Sequence, residues 1–165
     1  MGFDEVPYIK AMLDANKSVE YPFAKGPLTA DGIQWSTEAT SSTTTYKTVE
    51  AVTIQPSMAA AIKELELGIT WAQRCDGATA KAVGKIQGRN KAGTWVDLMA
   101  EVTNANAGTA YEEKTYSGRF KPTGNLDAIP FELQVLVKSD GATAGVNAIG
   151  KVKNSSYVAY LPVIV

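Results

Sequence analysis

Glu64-Leu65-Glu66-Leu67-Gly68-Ile69-Thr70-Trp71 is the stretch on which the fold turns. Leu65, Leu67, Ile69 and Trp71 take alternate positions, with Glu64, Glu66, Gly68 and Thr70 between them. Successive side chains of a strand point to opposite faces, so this period of two predicts a sheet with one buried and one solvated face. The same alternation returns in Phe131, Leu133, Val135 and Val137, set against Glu132, Gln134, Leu136 and Lys138. These eight apolar residues are the candidate core. Trp71 and Trp95, both in strand patterns, are expected to join it.

Working outward, further strands are predicted near 49–54, 78–87, 94–98, 115–120, 145–153 and 157–165. Asn90-Lys91-Ala92-Gly93 reads as the loop of a hairpin. About eight strands with polar turns and no long helix indicate an all-β protein, an antiparallel β-sandwich or jelly roll. A weak internal repeat fits this. Glu66-Leu-Gly-Ile-Thr-Trp71 leads to Asp76-Gly-Ala-Thr-Ala80 and then Gly84-Lys-Ile-Gln87; Glu132-Leu-Gln-Val-Leu-Val137 leads to Asp140-Gly-Ala-Thr-Ala144 and then Gly150-Lys-Val-Lys153. Because Asp-Gly suits the positive φ of tight turns, both halves read as hairpins, one in each sheet. A cation held between the two Asp-Gly loops is the functional alternative, although each loop offers one carboxylate where calcium takes about six to eight oxygens.

The first 46 residues read differently. Val6, Ile9, Met12 and Leu13 have helical spacing, so residues 7 to about 17 predict one short amphipathic helix with Pro7 in its first turn. Pro22, Gly26, Pro27 and Gly32 then keep the chain turning or extended. The polar run Ser36-Thr-Glu-Ala-Thr-Ser-Ser-Thr-Thr-Thr45 is either a linker or a strand supported by its neighbours. The division expected is an extended N-terminal arm and linker, 1–46, and a sandwich domain, 47–165. Phe3, Val6, Tyr8, Ile9, Met12, Leu13, Tyr21, Phe23 and Trp35 are the arm's candidate interface residues, anchoring it on its own body or on a neighbour.

Composition narrows the chemistry. The 165 residues are 45% hydrophobic and 20% charged, which suits one ordinary domain able to bury most of its surface without a metal or disulfide. There is no histidine, hence neither the commonest general base nor the commonest zinc ligand. The single cysteine, Cys75, forms no intrachain disulfide and lacks a histidine to activate it. Sixteen basic residues against 17 acidic ones leave a net charge of -1, with no electrostatic footprint for nucleic acid or an anionic membrane. The acidic start Met1-Gly-Phe-Asp-Glu-Val has no signal-peptide pattern, so folding in the cytosol is expected and the sequons at Asn16 and Asn154 read as chance.

Three groups of residues are candidate sites. Gly145-Val-Asn-Ala-Ile-Gly150-Lys151 resembles a phosphate loop, but Val152 follows where Ser or Thr would hold magnesium, and the segment continues as a strand. Glu64 and Glu66 share a strand face roughly 7 Å apart, a spacing compatible with glycoside hydrolysis, but the reading preferred is a solvated face beside the buried Leu65, Leu67, Ile69 and Trp71. Trp35 or Tyr111 beside Asp or Asn would suit a sugar-stacking platform. No catalytic residue, metal ligand or cofactor site is therefore assigned.

From Glu64 onward the chain resembles β-sandwich proteins of tailed-phage and related virions. The residues that carry this are the strand-turn-strand over 78–89 followed by Gly93-Thr-Trp-Val-Asp-Leu98, and Val152-Lys-Asn-Ser-Ser-Tyr157. The resemblance implies a non-enzymatic capsid decoration (cement) protein, made in the host cytoplasm and located on the capsid surface of the virion. It further implies a homo-oligomer, commonly a trimer, with the major capsid protein or other virion proteins as partners. A glycan-binding module and, last, a glycosidase are the competing classes.

Overall fold

The structure, a computed structural model, describes residues 19–22, 35–54, 62–90, 93–120 and 131–162. Among them it is all-β with no helix. In chain order the strands are β1 (Val19–Pro22), β2 (Ala39–Thr40), β3 (Lys47–Ile54), β4 (Ile62–Cys75), β5 (Ala82–Asn90), β6 (Val96–Asp97), β7 (Val102–Thr103), β8 (Glu112–Phe120), β9 (Phe131–Ser139), β10 (Ala148–Val152) and β11 (Tyr157–Pro162). The predicted helix over 7–17 lies outside the described residues.

Two antiparallel sheets form. In the first, β4 is central: β8 runs along one side, and β10 and β11 run end to end along the other, flanked in turn by β2 and β1. In the second, the order is β3, β9, β5, with the short β6 and β7 sharing the far side of β5. β4 packs over β5, β10 over β9 and β2 over β3. β10 and β11 are one strand interrupted. From Val152 opposite Trp71 to Tyr157 opposite Gly68, five steps on one side match three on the other. The surplus loops out and is stapled to Thr70: Lys153 N–H donates to its carbonyl at 2.8 Å, while Ser156 Oγ accepts from its N–H at 2.9 Å.

Leu67, Ile69, Trp71, Leu133, Val135 and Val137 are fully buried between the sheets, as their alternation required. The side chains of Leu65 and Phe131 lie outside the described set. Trp95 departs from expectation. It precedes the two-residue β6, is only partly buried, and carries the Arg89 guanidinium 4.4 Å above its ring. A tryptophan at a hairpin end has one sheet face to cover and nothing on the other, so a cation caps it.

The core also contains a polar node. Trp71 Nε1–H donates to Gln73 Oε1 at 2.8 Å; the two hydrogens of Gln73 Nε2 are shared among the carbonyls of Ala82 and Val102 and Asn104 Oδ1; Asn104 Nδ2 returns a bond to the Gln73 carbonyl. Gln73 is 0% exposed and Asn104 3%. Buried amides are tolerated when their donors and acceptors are satisfied, and this pair ties β4 of one sheet to β5 and β7 of the other.

The Ser/Thr run is a strand supported by neighbours. Ser36 and Ser41 each donate a backbone N–H to β10, to the carbonyls of Val152 and Ala148 at 2.8 Å. Each hydroxyl then accepts the N–H of that same β10 residue at 2.9 Å. Serine hydroxyls thus complete a ladder that the two-residue β2 is too short to supply. Of the stretch grouped with the arm on composition, Trp35, Ser36, Ala39, Thr40 and Ser41 are bonded into the first sheet.

The Asp-Gly segments correct the repeat's reading. β4 and β5 lie in different sheets, as do β9 and β10, so each Asp-Gly segment crosses between sheets and closes no hairpin. A chain leaving a sandwich strand has two continuations, beside it or across the core, and Asp-Gly serves both. Of the two glycines, Gly141 is left-handed, at φ +78°.

Candidate interaction surfaces

The crossovers meet at one end of the sandwich. The Asp76 carboxylate accepts both the backbone and side-chain N–H of Asn147, at 2.8 and 3.0 Å, and Asn147 Oδ1 accepts the N–H of Thr43 at 2.9 Å. Thr79 and Thr143, equivalent in the repeat, hydrogen-bond at 2.7 Å. Asp140 accepts the Ala142 N–H at 3.0 Å. Asp76 therefore spends both carboxylate oxygens, and Asp140 one, on the protein's own N–H groups. No cluster of three metal-ligating side chains occurs among the described residues.

Each outer sheet face bears a tyrosine between two cations. On the second sheet, Lys85 and Lys138 hold their ammoniums 4.6 and 4.5 Å from the Tyr46 ring centre, and the Tyr46 hydroxyl donates to Glu101 at 2.5 Å. On the first, Arg74 and Lys151 lie 5.0 and 4.3 Å from the Tyr111 ring, whose hydroxyl donates to Glu38. The two arrangements are related by the internal repeat. Arg74-Cys75-Asp76-Gly77 matches Lys138-Ser139-Asp140-Gly141, and Gly84-Lys85 matches Gly150-Lys151. Each half gives one cation to each face. Register agrees: Lys85 stands opposite Leu136 and Lys151 opposite Ala72, two outward-facing apolar residues that are nevertheless buried. Cation–π attraction and aliphatic cover hold each ring down.

Electrostatics follow from this geometry. Burial, then Glu38, pushes the Tyr111 phenol up to about 12. Burial, then the Glu101 hydrogen bond, pushes Tyr46 up as well. In return the Tyr46 hydroxyl, ahead of Lys138, holds Glu101 below the usual carboxylate range. Glu112 is held at about 2 by the Asn106 N–H, the Lys114 ammonium and the Ala105 N–H. Cys75 is buried, which pushes its thiol up and away from nucleophilic use.

The sequence candidates fall out as follows. Trp35 is 9% exposed, bridges to Lys153 and lies under the ammoniums of Lys151 and Lys153 at 5.1 and 5.5 Å. Tyr21 lies in β1, its backbone opposite Val158. Phe3, Val6, Tyr8, Ile9, Met12, Leu13 and Phe23 lie outside the described residues. Glu66 faces Arg119 at 3.6 Å and accepts the Tyr157 hydroxyl at 3.3 Å, while the Glu64 side chain is outside the described set. Lys151 of the phosphate-loop-like segment sits in β10 and spends its charge on Tyr111 and Trp35. The clamps were not anticipated. Their signal was the cation before each Asp-Gly and the Gly-Lys that follows; the tyrosines themselves lie outside the repeat.

The class reached is an all-β, two-sheet antiparallel sandwich with clamped outer faces. The chain matches no family model and no curated protein. Among solved structures it is similar to that of infectious bursal disease virus, Gt strain (TM-score 0.48, 13% identity, 90% of this chain and 38% of that one). It is similar also to the Gx strain (TM-score 0.47, 14% identity, 90% and 38%) and to a mutant VP2 protein of that virus in derived particles (TM-score 0.46, 14% identity, 90% and 37%). The chain spans less than two fifths of those chains.

Proposed function

We propose that this chain is a non-enzymatic structural protein of a virion, a capsid decoration (cement) protein on the capsid surface. The observation that carries the reading is strand order. Across the first sheet run β1/β2, β10/β11, β4 and β8; across the second run β3, β9, β5 and β6/β7. We read this as the jelly-roll order, a double-sheet architecture that recurs in viral capsid proteins, lectins and cupins. Fold alone selects none of these. A histidine-free chain lacks the usual ligands for a cupin metal. The covered Trp35 and the clamped Tyr111 weigh against a sugar platform, since their stacking faces are already occupied.

In this reading the chain assembles as a homo-oligomer, a trimer, made in the host cytoplasm and seated beside the major capsid protein. Nucleic acid and membrane are not partners. The arm, with Phe3, Val6, Tyr8, Ile9, Met12, Leu13, Tyr21 and Phe23 as anchors, makes contacts to neighbouring chains, and Trp35 holds its base against the sandwich. Ordering an arm costs roughly 1–2 kcal/mol per backbone residue, which contacts with another chain offset. The test is deletion of residues 1–18, which leaves β1 whole, followed by melting and by co-sedimentation with capsid particles. Normal folding with loss of particle binding is the expected result. Retention of both binding and oligomeric state refutes the arm's role.

A further inference from the structure

Among the described residues β8 has a single strand partner, β4, and pairs with it over nine residues without a register shift. Sheet edges are ordinarily blunted by bulges, prolines or brevity. The other edges here show those devices: β3 shifts register between Thr48 and Glu50, β1 ends in Pro22, and β6 and β7 are two residues each. β8 carries none of these three and is guarded by charge alone, through Glu112, Glu113, Lys114 and Arg119. Tyr116 pins it from beneath, donating to the Leu98 carbonyl at 3.1 Å, so the edge is held straight.

Along its outer face β8 exposes Glu113, Thr115, Ser117 and Arg119. We propose that this edge is the interface between two copies of the chain, β8 pairing antiparallel with its own twofold equivalent, centred on Tyr116. In that register Glu113 opposes the partner's Arg119 and Thr115 opposes the partner's Ser117, and symmetry makes each contact twice. Alternation of faces requires the axis to pass through a residue, since a half-step would set outer side chains against inner ones. Centring on Thr115 sets Glu113 against a serine, and centring on Ser117 sets Arg119 against a threonine. Tyr116 is thus the centre that pairs unlike charges. The present partners are weak competitors: Glu113 meets Lys153 at 3.7 Å and Arg119 meets Glu66 at 3.6 Å, both exposed. A net charge of -1 opposes self-association little. The inference is independent of the virion reading.

Sedimentation velocity of the full chain over a range of concentrations tests it. Reversible doubling is expected, of the single chain or, where the virion reading's trimer forms, of that trimer. Arg119→Glu and Glu113→Arg, which set like charges opposite twice, should each weaken association about tenfold or more, and the double exchange should restore it. Equal melting temperatures at high dilution check that the variants fold. As a second readout, the Thr115→Cys/Ser117→Cys variant should cross-link between chains on oxidation. The proposal is overturned by a monomer at every concentration, or by an assembly of any size indifferent to both charge reversals.

Discussion

At the scale of single residues, the groups that organise this molecule are polar and mostly hidden. Gln73 is the clearest. Its replacement by Leu preserves volume but strands the Trp71 N–H and Asn104 Oδ1 and takes a bond from the Val102 carbonyl, while the Ala82 carbonyl keeps the Asn104 N–H. Each buried orphan costs roughly 1–3 kcal/mol, so Gln73→Leu is expected to destabilise by about 3 kcal/mol or more in urea denaturation. Little change would show that water enters the node. Glu112 makes the acid-sensitive contact. Its folded pKa of about 2 lies below the ordinary 4.5, so the unfolded chain takes up the proton first. Its contribution is complete above pH 4.5 and is lost as pH falls toward 2. Glu112→Gln should remove that part of the acid slope of stability, measured as melting temperature against pH. An unchanged slope would mean that the loop over 105–106 does not depend on the carboxylate.

Among the elements, the repeat explains why β5 and β10 carry glycine at matching places. A methyl at Gly84 falls on Gln73 Oε1 and 2.7 Å from Trp71 Nε1; at Gly150 it lies 2.8 Å from Val49 Cγ2 and 3.0 Å from Val137 Cγ1. Overpacking costs about 1–3 kcal/mol. Gly84→Ala should be the more damaging of the two, because it meets a hydrogen-bonded node, whereas the valines beside Gly150 have methyls that shift. The reverse ranking by chemical denaturation would contradict the rigidity assigned to the node. Leu67 of β4, fully buried, should cost about 2–5 kcal/mol on replacement by Ala, against a far smaller loss for the solvent-facing Thr115. Strand alternation was sufficient to foresee that contrast. It did not foresee where β5 begins, because Ala78–Lys81 has apolar residues in place but is spent crossing between sheets.

For the whole molecule, the two tyrosine clamps make both outer faces sensitive to alkali. Tyr111 titrates near 12 in the folded chain and near 10 when free, so above pH 10 the unfolded chain loses its proton first and stability declines as pH rises toward 12. Tyr46, raised by the same causes, adds to that decline from the opposite face. Ultraviolet titration should show both phenols ionising late, with melting temperature falling over the same range. Tyr46→Phe/Tyr111→Phe should flatten the fall. A fall that persists in the double variant would place the alkaline weakness elsewhere.

The amino-acid sequence by itself determined the inward faces of β4 and β9, the all-β class and the poverty of catalytic groups, because alternation and composition are local properties. It also held the repeat in plain view. Only the tertiary structure decided what the repeat is for. Which sheet a strand joins depends on pairing across distant segments, so two apparent hairpins became two crossovers, and cations 53 or 77 residues apart, one from each half of the repeat, came to flank tyrosines from outside it. The low-complexity serines could be read as linker or strand until β10 was beside them, since a serine completes a ladder only where a neighbouring backbone presents an unpaired N–H.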